Sequence, residues 1–292
     1  MKYKNTMACL GLIASFGTGQ AATFFTNANM DNDWSNAGNW DNGLPDGSND
    51  ARVNNGHTAN IGAAVNGGKP IIGGSSTGIV NVNTGKLSGS DIVVGDGSGG
   101  VGILNIASGT TLEIAGAGAD LIIGRNGGYG TVDVYGYLDA RKATEIRNGM
   151  LIMRQGSTHN AIQDEFDVRD TGVMVFETNG TIISTLNGSS VLVELASDST
   201  LDMRLGGVYS VGDTWTIMNG ITSFGGVGDD GDGQWGTVYN STNAGHEFTV
   251  HYNDDLGADA GTMVVELTAI PEPSTSALIG LAGISLILRR RM

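Results

Sequence analysis

The sequence predicts an all-β protein whose main body is a β-solenoid, in which short strands stack as successive coils. Three observations support this fold class. Glycine accounts for 48 of the 292 residues, well above its usual share of about 7%, which indicates many tight turns. Short strands of alternating apolar and polar residues recur along the chain, each preceded by a glycine. The spacing of successive copies falls in the range of about 20 to 30 residues that is typical of solenoids.

The repeated unit is a glycine followed by a strand in which every second residue is apolar. The copies begin at Gly78, Gly102, Gly130, Gly149 and Gly172. In the three clearest copies the apolar side chains share one face, and Asn81, Asn105 and Asp133 point to the other. A second strand type occurs at 91–95 and recurs at 120–124. Coils of this length fit two or three short strands each.

A stack of such coils would stabilise a glycine-rich chain, because each strand pairs its backbone groups with the coils above and below. Glycine suits the corners of the coils, since it adopts a positive φ without steric cost. A β-sandwich of short antiparallel strands is the alternative, because the same alternation allows it and the uneven spacing favours it. The recurring unit of glycine and strand favours the solenoid.

The N-terminus has the organisation of a secretory signal peptide. Lys2 and Lys4 provide a positive region, an apolar run follows, and small residues precede the expected cleavage after Ala21. A signal peptidase is therefore an expected partner. The single cysteine, Cys9, would be removed with residues 1–21, so we expect neither disulfides nor cysteine-ligated metals in the mature protein.

The charge of the mature protein is strongly acidic. Of the 15 basic residues, two lysines lie in the signal peptide and three arginines at the C-terminus, which leaves 10 basic residues against 30 acidic ones. Such a body repels nucleic-acid phosphates and anionic lipid head groups. We therefore expect no nucleic-acid partner, and we interpret the charge as a source of solubility.

Two segments of different composition border the repeat solenoid, which occupies 50–189. Before it, the polar segment 22–49 contains Trp34 and Trp40. These side chains could close an end of the stack or bind a sugar ring, and we favour closure because a β stack must cover its terminal edge. After it, the strands within 190–270 are richer in aromatic residues and predict a C-terminal β cap.

Three features of the body occur together: a lead-in rich in Trp and Asn at 34–45, glycine-strand repeats from Gly78 to Gly180, and the late run 211–215. In these features the body resembles the secreted β-strand-repeat proteins described as autotransporter-associated. The resemblance implies a right-handed parallel β-helix with a surface or passenger role, and it implies no catalytic residues.

Candidate metal-binding residues are few, and no cofactor is expected. The four histidines are scattered, and we interpret them as surface residues: His57, His159, His246 and His251. The acidic run that contains Asp229, Asp230 and Asp232 could bind Ca²⁺. It lacks the central glycine and the closing glutamate of an EF-hand loop, so a solvated turn is the preferred interpretation.

A polysaccharide-cleaving β-helix would need a carboxylate cluster with a basic partner on one outward face. The repeat region supplies such groups: Asp133, Glu145, Asp167, Asp202, Arg147, Arg154, Arg169 and Arg204. Because acids and arginines alternate, we interpret them as ion pairs between coils. We therefore do not expect an enzyme.

The C-terminal tail, 271–292, combines three elements in order. Pro271, Glu272, Pro273 and Ser274 form an extended motif, because each proline disfavours helix in the residue before it. An apolar run follows that predicts a short transmembrane helix, too short to span a membrane comfortably. The tail ends in a basic cluster that would stop transfer and stay in the cytoplasm: Arg289, Arg290 and Arg291.

This tail closely resembles the PEP-CTERM sorting signal. The resemblance implies recognition by a membrane-embedded exosortase, removal of the tail, and display or release by a bacterium that makes exopolysaccharide. The sequence thus predicts an exported structural protein of the cell surface or extracellular matrix, anchored in the membrane through its C-terminus before processing. The alternative is a β-helix that binds or cleaves a polysaccharide, in which case exopolysaccharide is a further partner.

Overall fold

The computed structural model describes residues 22–47, 49–116, 118–162, 164–179, 183–225, 234–252 and 261–271. These residues form one short 3-10 helix, Ala37–Asn39, and 22 β-strands. The strands are β1 (Thr23–Phe24), β2 (Ala51–Val53), β3 (His57–Ile61), β4 (Val65–Asn66), β5 (Ile71–Ile72), β6 (Thr77–Val82), β7 (Lys86–Gly89), β8 (Ile92–Asp96), β9 (Val101–Ile106), β10 (Thr111–Ile114), β11 (Asp120–Arg125), β12 (Tyr129–Val134), β13 (Tyr137–Ala140), β14 (Ala143–Met153), β15 (Thr158–Ile162), β16 (Glu165–Asn179), β17 (Leu186–Leu195), β18 (Thr200–Gly206), β19 (Thr214–Gly225), β20 (Thr237–Tyr239), β21 (Glu247–Tyr252) and β22 (Met263–Ala269).

Strands of successive coils stack into three parallel ladders. The first ladder contains β1, β2, β5, β8, β11, the first halves of β14 and β16, and the second halves of β17 and β19. The second contains β3, β6, β9, β12, the second halves of β14 and β16, β18 and β20. The third contains β4, β7, β10, β13, β15 and the first parts of β17 and β19. This is a β-solenoid of about seven turns, which confirms the predicted fold class.

The glycines that begin the predicted repeats form one column along the second ladder. Gly78 pairs with Gly102, and the column continues through Gly130 and Gly149 to Gly172. A Cβ atom at Gly102 would lie 2.3 Å from the carbonyl oxygen of Ile72, which is far inside van der Waals contact. Glycine is therefore required here because the first and second ladders approach each other closely at this corner.

The core of the solenoid consists of columns of apolar side chains from every coil. One fully buried column of the second ladder contains Ala59, Val80, Leu104, Val132, Leu151, Met174 and Leu201. Burying each large aliphatic side chain contributes about 1.5–3 kcal/mol. On the outer face, the Asn81 amide donates a hydrogen bond to Asn60 at 2.9 Å, and the Asn105 amide donates one to Asn81 at 2.8 Å. The predicted division of each strand into an inner and an outer face is thus confirmed.

Aromatic side chains cover the N-terminal end of the core. Trp34 and Trp40 are 1% and 5% exposed, and their rings meet edge to face with centroids 4.8 Å apart. The indole nitrogen of Trp40 donates a hydrogen bond to the carbonyl oxygen of Trp34 at 2.8 Å, and Phe25 packs against the Trp40 ring. This burial agrees with closure of the stack and leaves neither tryptophan with a ring face on which a sugar could stack.

The C-terminal end closes with a change of strand direction. β22 pairs antiparallel with both β19 and β21, whereas the three ladders are parallel. Trp215 and Trp235 are buried in the core, and Phe224 meets Tyr252 edge to face at 5.3 Å. The predicted aromatic-rich β cap is therefore present, and its antiparallel strands end the stack.

Among the described residues, no helix has the length and apolar character needed to cross a membrane. Several predicted features lie outside the described residues and are not assigned a structure. They are the cleavage site at Ala21, the acidic run with Asp229, Asp230 and Asp232, and the tail beyond Pro271.

Candidate functional site

The last strand of the solenoid leads directly to the tail. Met263, Val265 and Leu267 anchor β22 in the core. The strand ends at Ala269, and Pro271, the first residue of the predicted motif, is exposed. The tail thus leaves the body at its surface, two residues after the last strand residue. The remaining predicted site residues of the tail lie outside the described part of the chain: Glu272, Pro273, Ser274, Arg289, Arg290 and Arg291.

Three of the histidines have separate neighbours. Nε2 of His251 lies 3.0 Å from the Glu266 carboxylate, and Nδ1 of His246 lies 2.7 Å from the carbonyl oxygen of Asn243. The His57 ring meets the ring of Phe25 edge to face, with centroids 6.3 Å apart. Because these contacts are in different places, the structure does not bring the three side chains together at one site.

The predicted ion pairs form on the outer face of the second ladder. Arg154 forms ion pairs with Asp133 in the preceding coil and with Glu177 in the following coil. Arg204 pairs with Asp202 at 2.8 Å within β18, and its guanidinium also lies 3.9 Å from Glu177. Arg154 connects coils, as predicted. For the other predicted arginines the prediction was wrong at the shortest pair, which joins residues of a single strand: Arg204–Asp202, Arg169–Asp167 and Arg147–Glu145.

A second group of charges lies on the outer face of the first ladder, and we call it the acidic cluster: Glu145, Glu165, Asp167 and Glu194. Parallel pairing places Glu145 opposite Asp167 and Asp167 opposite Glu194. Glu165 precedes Asp167 by two positions in β16 and therefore lies on the same side of the strand. One carboxylate oxygen from each of Glu165, Asp167 and Glu194 lies within 4.8 Å of the other two.

Asp167 is the buried centre of the acidic cluster. Its side chain is 0% exposed, and neither of its carboxylate oxygens has a hydrogen-bond partner among the described residues. Arg169 contacts Asp167 as an ion pair, and Arg147 does the same for Glu145. Burial raises the pKa of Asp167 to about 7; Arg169 opposes this rise and the neighbouring carboxylates add to it. Burial also raises the pKa of Glu165.

Sequence reasoning identified two members of the acidic cluster, Glu145 and Asp167, and missed Glu165 and Glu194. The signal that could have found Glu194 is its spacing. Glu145, Asp167 and Glu194 follow one another at intervals that both lie within the period of the repeats. Glu165 carries no such signal, because its β17 partner is the apolar Leu192.

Comparison with known proteins gives a family match for the tail and none for the β-solenoid body. Comparison with curated proteins and with solved structures found no match. The family model of the PEP-CTERM protein-sorting motif matches residues 269–291. This match begins in the last residue of β22 and includes the Pro-Glu-Pro sequence at 271–273. The C-terminal end of this chain is therefore a PEP-CTERM sorting motif.

Proposed function

We propose that this chain is an exported structural protein that an exosortase-type enzyme sorts to the cell surface, where its β-solenoid becomes part of the envelope or extracellular matrix. One observation carries the proposal: a PEP-CTERM motif at 269–291 directly follows the folded body. The motif supports export and sorting at the membrane. The structural, non-enzymatic role of the solenoid is our inference from its architecture.

The position of the motif favours processing of the folded protein. Pro271 is exposed, and the strand before it is held by pairing with β19 and β21. An enzyme in the membrane could therefore reach the motif without unfolding the body. Because only Ile270 separates β22 from the Pro-Glu-Pro sequence, the C-terminal cap would stay close to the membrane until the tail is removed.

The architecture of the body supports a structural role. Both ends of the core are covered by aromatic side chains, and ion pairs such as Arg154–Asp133 connect successive coils. A stack in which each coil holds its neighbours suits a rigid spacer at the cell surface. The resemblance of the repeats to secreted β-strand-repeat proteins supports the same role.

The sorting proposal can be tested in an exosortase-bearing host that exports the protein. We expect the full chain to reach the surface with its tail removed, as shown by a decrease in intact mass. Deletion of 271–292 should release the body into the periplasm or medium. Glu272→Ala, which preserves the apolar run and the arginines, should leave the tail uncleaved and the protein in the membrane fraction. Retention of the deleted form in the membrane fraction would refute the role of the tail.

Polysaccharide binding is a second candidate, supported by an open depression of about 310 Å³ on the outer face of the second ladder. Glu177, Arg204 and Asn179 line this depression. Nearby, the half-exposed ring of Tyr135 lies under the guanidinium of Arg154, the second ion-pair partner of Glu177. Carboxylate, guanidinium and aromatic groups are suited to sugar hydroxyls and rings. Retardation of the body in a gel that contains matrix polysaccharide, abolished by Arg204→Ala, would support this candidate.

A further inference from the structure

We propose that Glu165, Asp167 and Glu194 bind one hard divalent cation, such as Ca²⁺, on the outer face of the first ladder. The site is built by two adjacent coils, with Glu165 and Asp167 in β16 and Glu194 in β17. It is independent of the sorting tail and of the acidic run around Asp230.

The backbone forces these carboxylates together. Asp167 and Glu194 pair directly in the parallel ladder, where neighbouring strands lie about 4.8 Å apart. Like charges at directly opposed positions are destabilising unless something compensates them. The three carboxylates nevertheless each direct one oxygen to within 4.8 Å of the others. Two oxygens that bind the same Ca²⁺ at about 2.3–2.6 Å are separated by roughly 5 Å or less, so this spacing fits a single ion.

A second observation, independent of the clustering, is the state of Asp167. This carboxylate is fully buried: its Oδ2 contacts the Arg169 guanidinium, whereas its Oδ1 has neither a hydrogen bond nor an ion pair within the described part of the chain. Buried polar atoms almost always have hydrogen-bond partners, because an unsatisfied group loses its hydration without compensation. Its charged contact is Arg169, whose own Nε is also buried without a partner. The ion pair reaches Oδ2 of Asp167 and leaves Oδ1 without a partner among the described residues, so a cation would supply a strong partner for Oδ1.

The charge balance of the patch also favours a divalent ion. At pH 8, with Asp167 ionised, the acidic cluster provides four negative charges, and Arg147 and Arg169 provide two positive charges, which leaves two negative charges. Both arginines contact carboxylates of the cluster, and Arg169 lies near Glu145 as well as Asp167. Among the described residues, Glu165 and Glu194 have no ion-pair partner within 4.0 Å. One divalent cation would neutralise the patch.

The chemical type of the candidate ligand atoms indicates which cations the site would bind. All three candidate ligands are carboxylate oxygens, which suit hard ions such as Ca²⁺ and Mg²⁺. Neither histidine nor cysteine belongs to the group, so soft or borderline metals such as Zn²⁺ are disfavoured. A bound ion would link β16 to β17 and would therefore stabilise two successive coils against each other.

The test uses the exported mature protein, treated with EDTA and dialysed at pH 8. We expect calorimetric titration with CaCl₂ to show about one bound ion, and we expect millimolar Ca²⁺ to raise the Tm by several degrees. Asp167→Asn and the milder Glu194→Gln should each abolish both effects, while circular dichroism shows that the variants remain folded. Glu247→Gln, an exposed residue of β21, should respond to Ca²⁺ like the unmodified protein.

A further variant separates this site from the acidic run that follows β19. In this variant Asp229, Asp230 and Asp232 are all replaced by Asn, and we expect its Ca²⁺ response to be retained. The proposal would be overturned if Ca²⁺ and Mg²⁺ up to 10 mM neither bound nor changed the Tm. It would also be overturned if the response persisted in Asp167→Asn and Glu194→Gln and was lost in the triple variant.

Discussion

The guanidinium of Arg154 holds the carboxylate of Asp133 through two parallel hydrogen bonds, from Nε to Oδ1 and from Nη2 to Oδ2, each 2.8 Å long. Arg154 follows β14, and its partner lies in β12 one coil earlier. The same guanidinium also pairs with Glu177 one coil later and covers the ring of Tyr135 at 5.2 Å. One side chain thus connects three successive coils.

Replacement of Arg154 should weaken the stack in proportion to the contacts that are lost. Arg154→Lys keeps the charge but loses the planar two-point geometry, so we expect a decrease of about 1 kcal/mol in the free energy of unfolding. Arg154→Met should cost about 2 kcal/mol, because it leaves the Asp133 carboxylate without its charged partner. Urea unfolding measures both values. Arg141→Lys, at a more exposed ion pair, should leave the urea midpoint unchanged. Equal losses at the two arginines would contradict this interpretation.

The glycine column predicts a steep cost for the smallest side chain. A Cβ atom at Gly130 would lie 2.1 Å from the carbonyl oxygen of Val94, and backbone atoms cannot move aside without breaking the ladders. We expect Gly130→Ala and Gly102→Ala each to destabilise the protein by about 1–3 kcal/mol, or to prevent its export in folded form. Gly62→Ala is the matched control. Apart from its chain neighbours, no atom of the described residues lies within 4 Å of its Cβ position, so the stability of the protein should change by less than about 0.5 kcal/mol.

The buried tryptophan at the N-terminal end should contribute strongly to stability. Trp34 is nearly inaccessible and packs against Trp40, so Trp34→Ala should cost about 3–5 kcal/mol in the free energy of unfolding. Trp34→Phe should cost less, because part of the cavity stays filled. Leu44→Ala provides a control in the same segment, since Leu44 is exposed and its truncation should be nearly neutral. A neutral Trp34→Ala variant would show that the coils do not need this cover.

The solenoid could be predicted from the sequence because stacking requires the same residue type at the same corner of each coil. Gly78 and Gly102, which begin successive repeats, are direct partners, and the pairing of Asn81 with Asn105 follows from that register. The antiparallel direction of β22 in the predicted cap could not be foreseen, since parallel and antiparallel strands have the same alternation of apolar and polar residues.

The acidic cluster was harder to predict for a geometric reason. The pairing of β14 with β16 shifts in register between Ile146 and Asn148. Residues before and after this point are therefore separated from their partners in the next coil by different numbers of residues. The distances that separate Glu145, Asp167 and Glu194 also differ, because the corners differ in length. Their spacing indicates that these residues recur once per coil, but the backbone pairing is needed to show which carboxylates lie side by side, and the burial of Asp167 is needed to show that it differs from an ordinary surface acid.

The raised pKa of Asp167 predicts an unusual dependence of stability on pH. Burial raises this pKa to about 7 in the folded protein, whereas an aspartate in an unfolded chain has a pKa of about 3.9. The folded state therefore binds the proton more tightly than the unfolded state. The resulting stabilisation is complete below about pH 4 and is lost as the pH rises towards 7 and above. In metal-free buffer we expect a loss on the order of 2 to 4 kcal/mol between pH 4 and pH 8 from this group.

Two variants isolate the contribution of Asp167 from that of other acids. Asp167→Asn should remove most of the decrease in urea midpoint between pH 5 and pH 8, because the amide does not titrate. Asp96→Asn should leave that decrease unchanged. A hydrogen bond from Arg125 lowers the pKa of Asp96, so this residue adds stability above its unfolded pKa and loses it only in acid. If Asp167→Asn kept the full decrease while Asp96→Asn removed it, the assignment of the buried proton to Asp167 would be wrong.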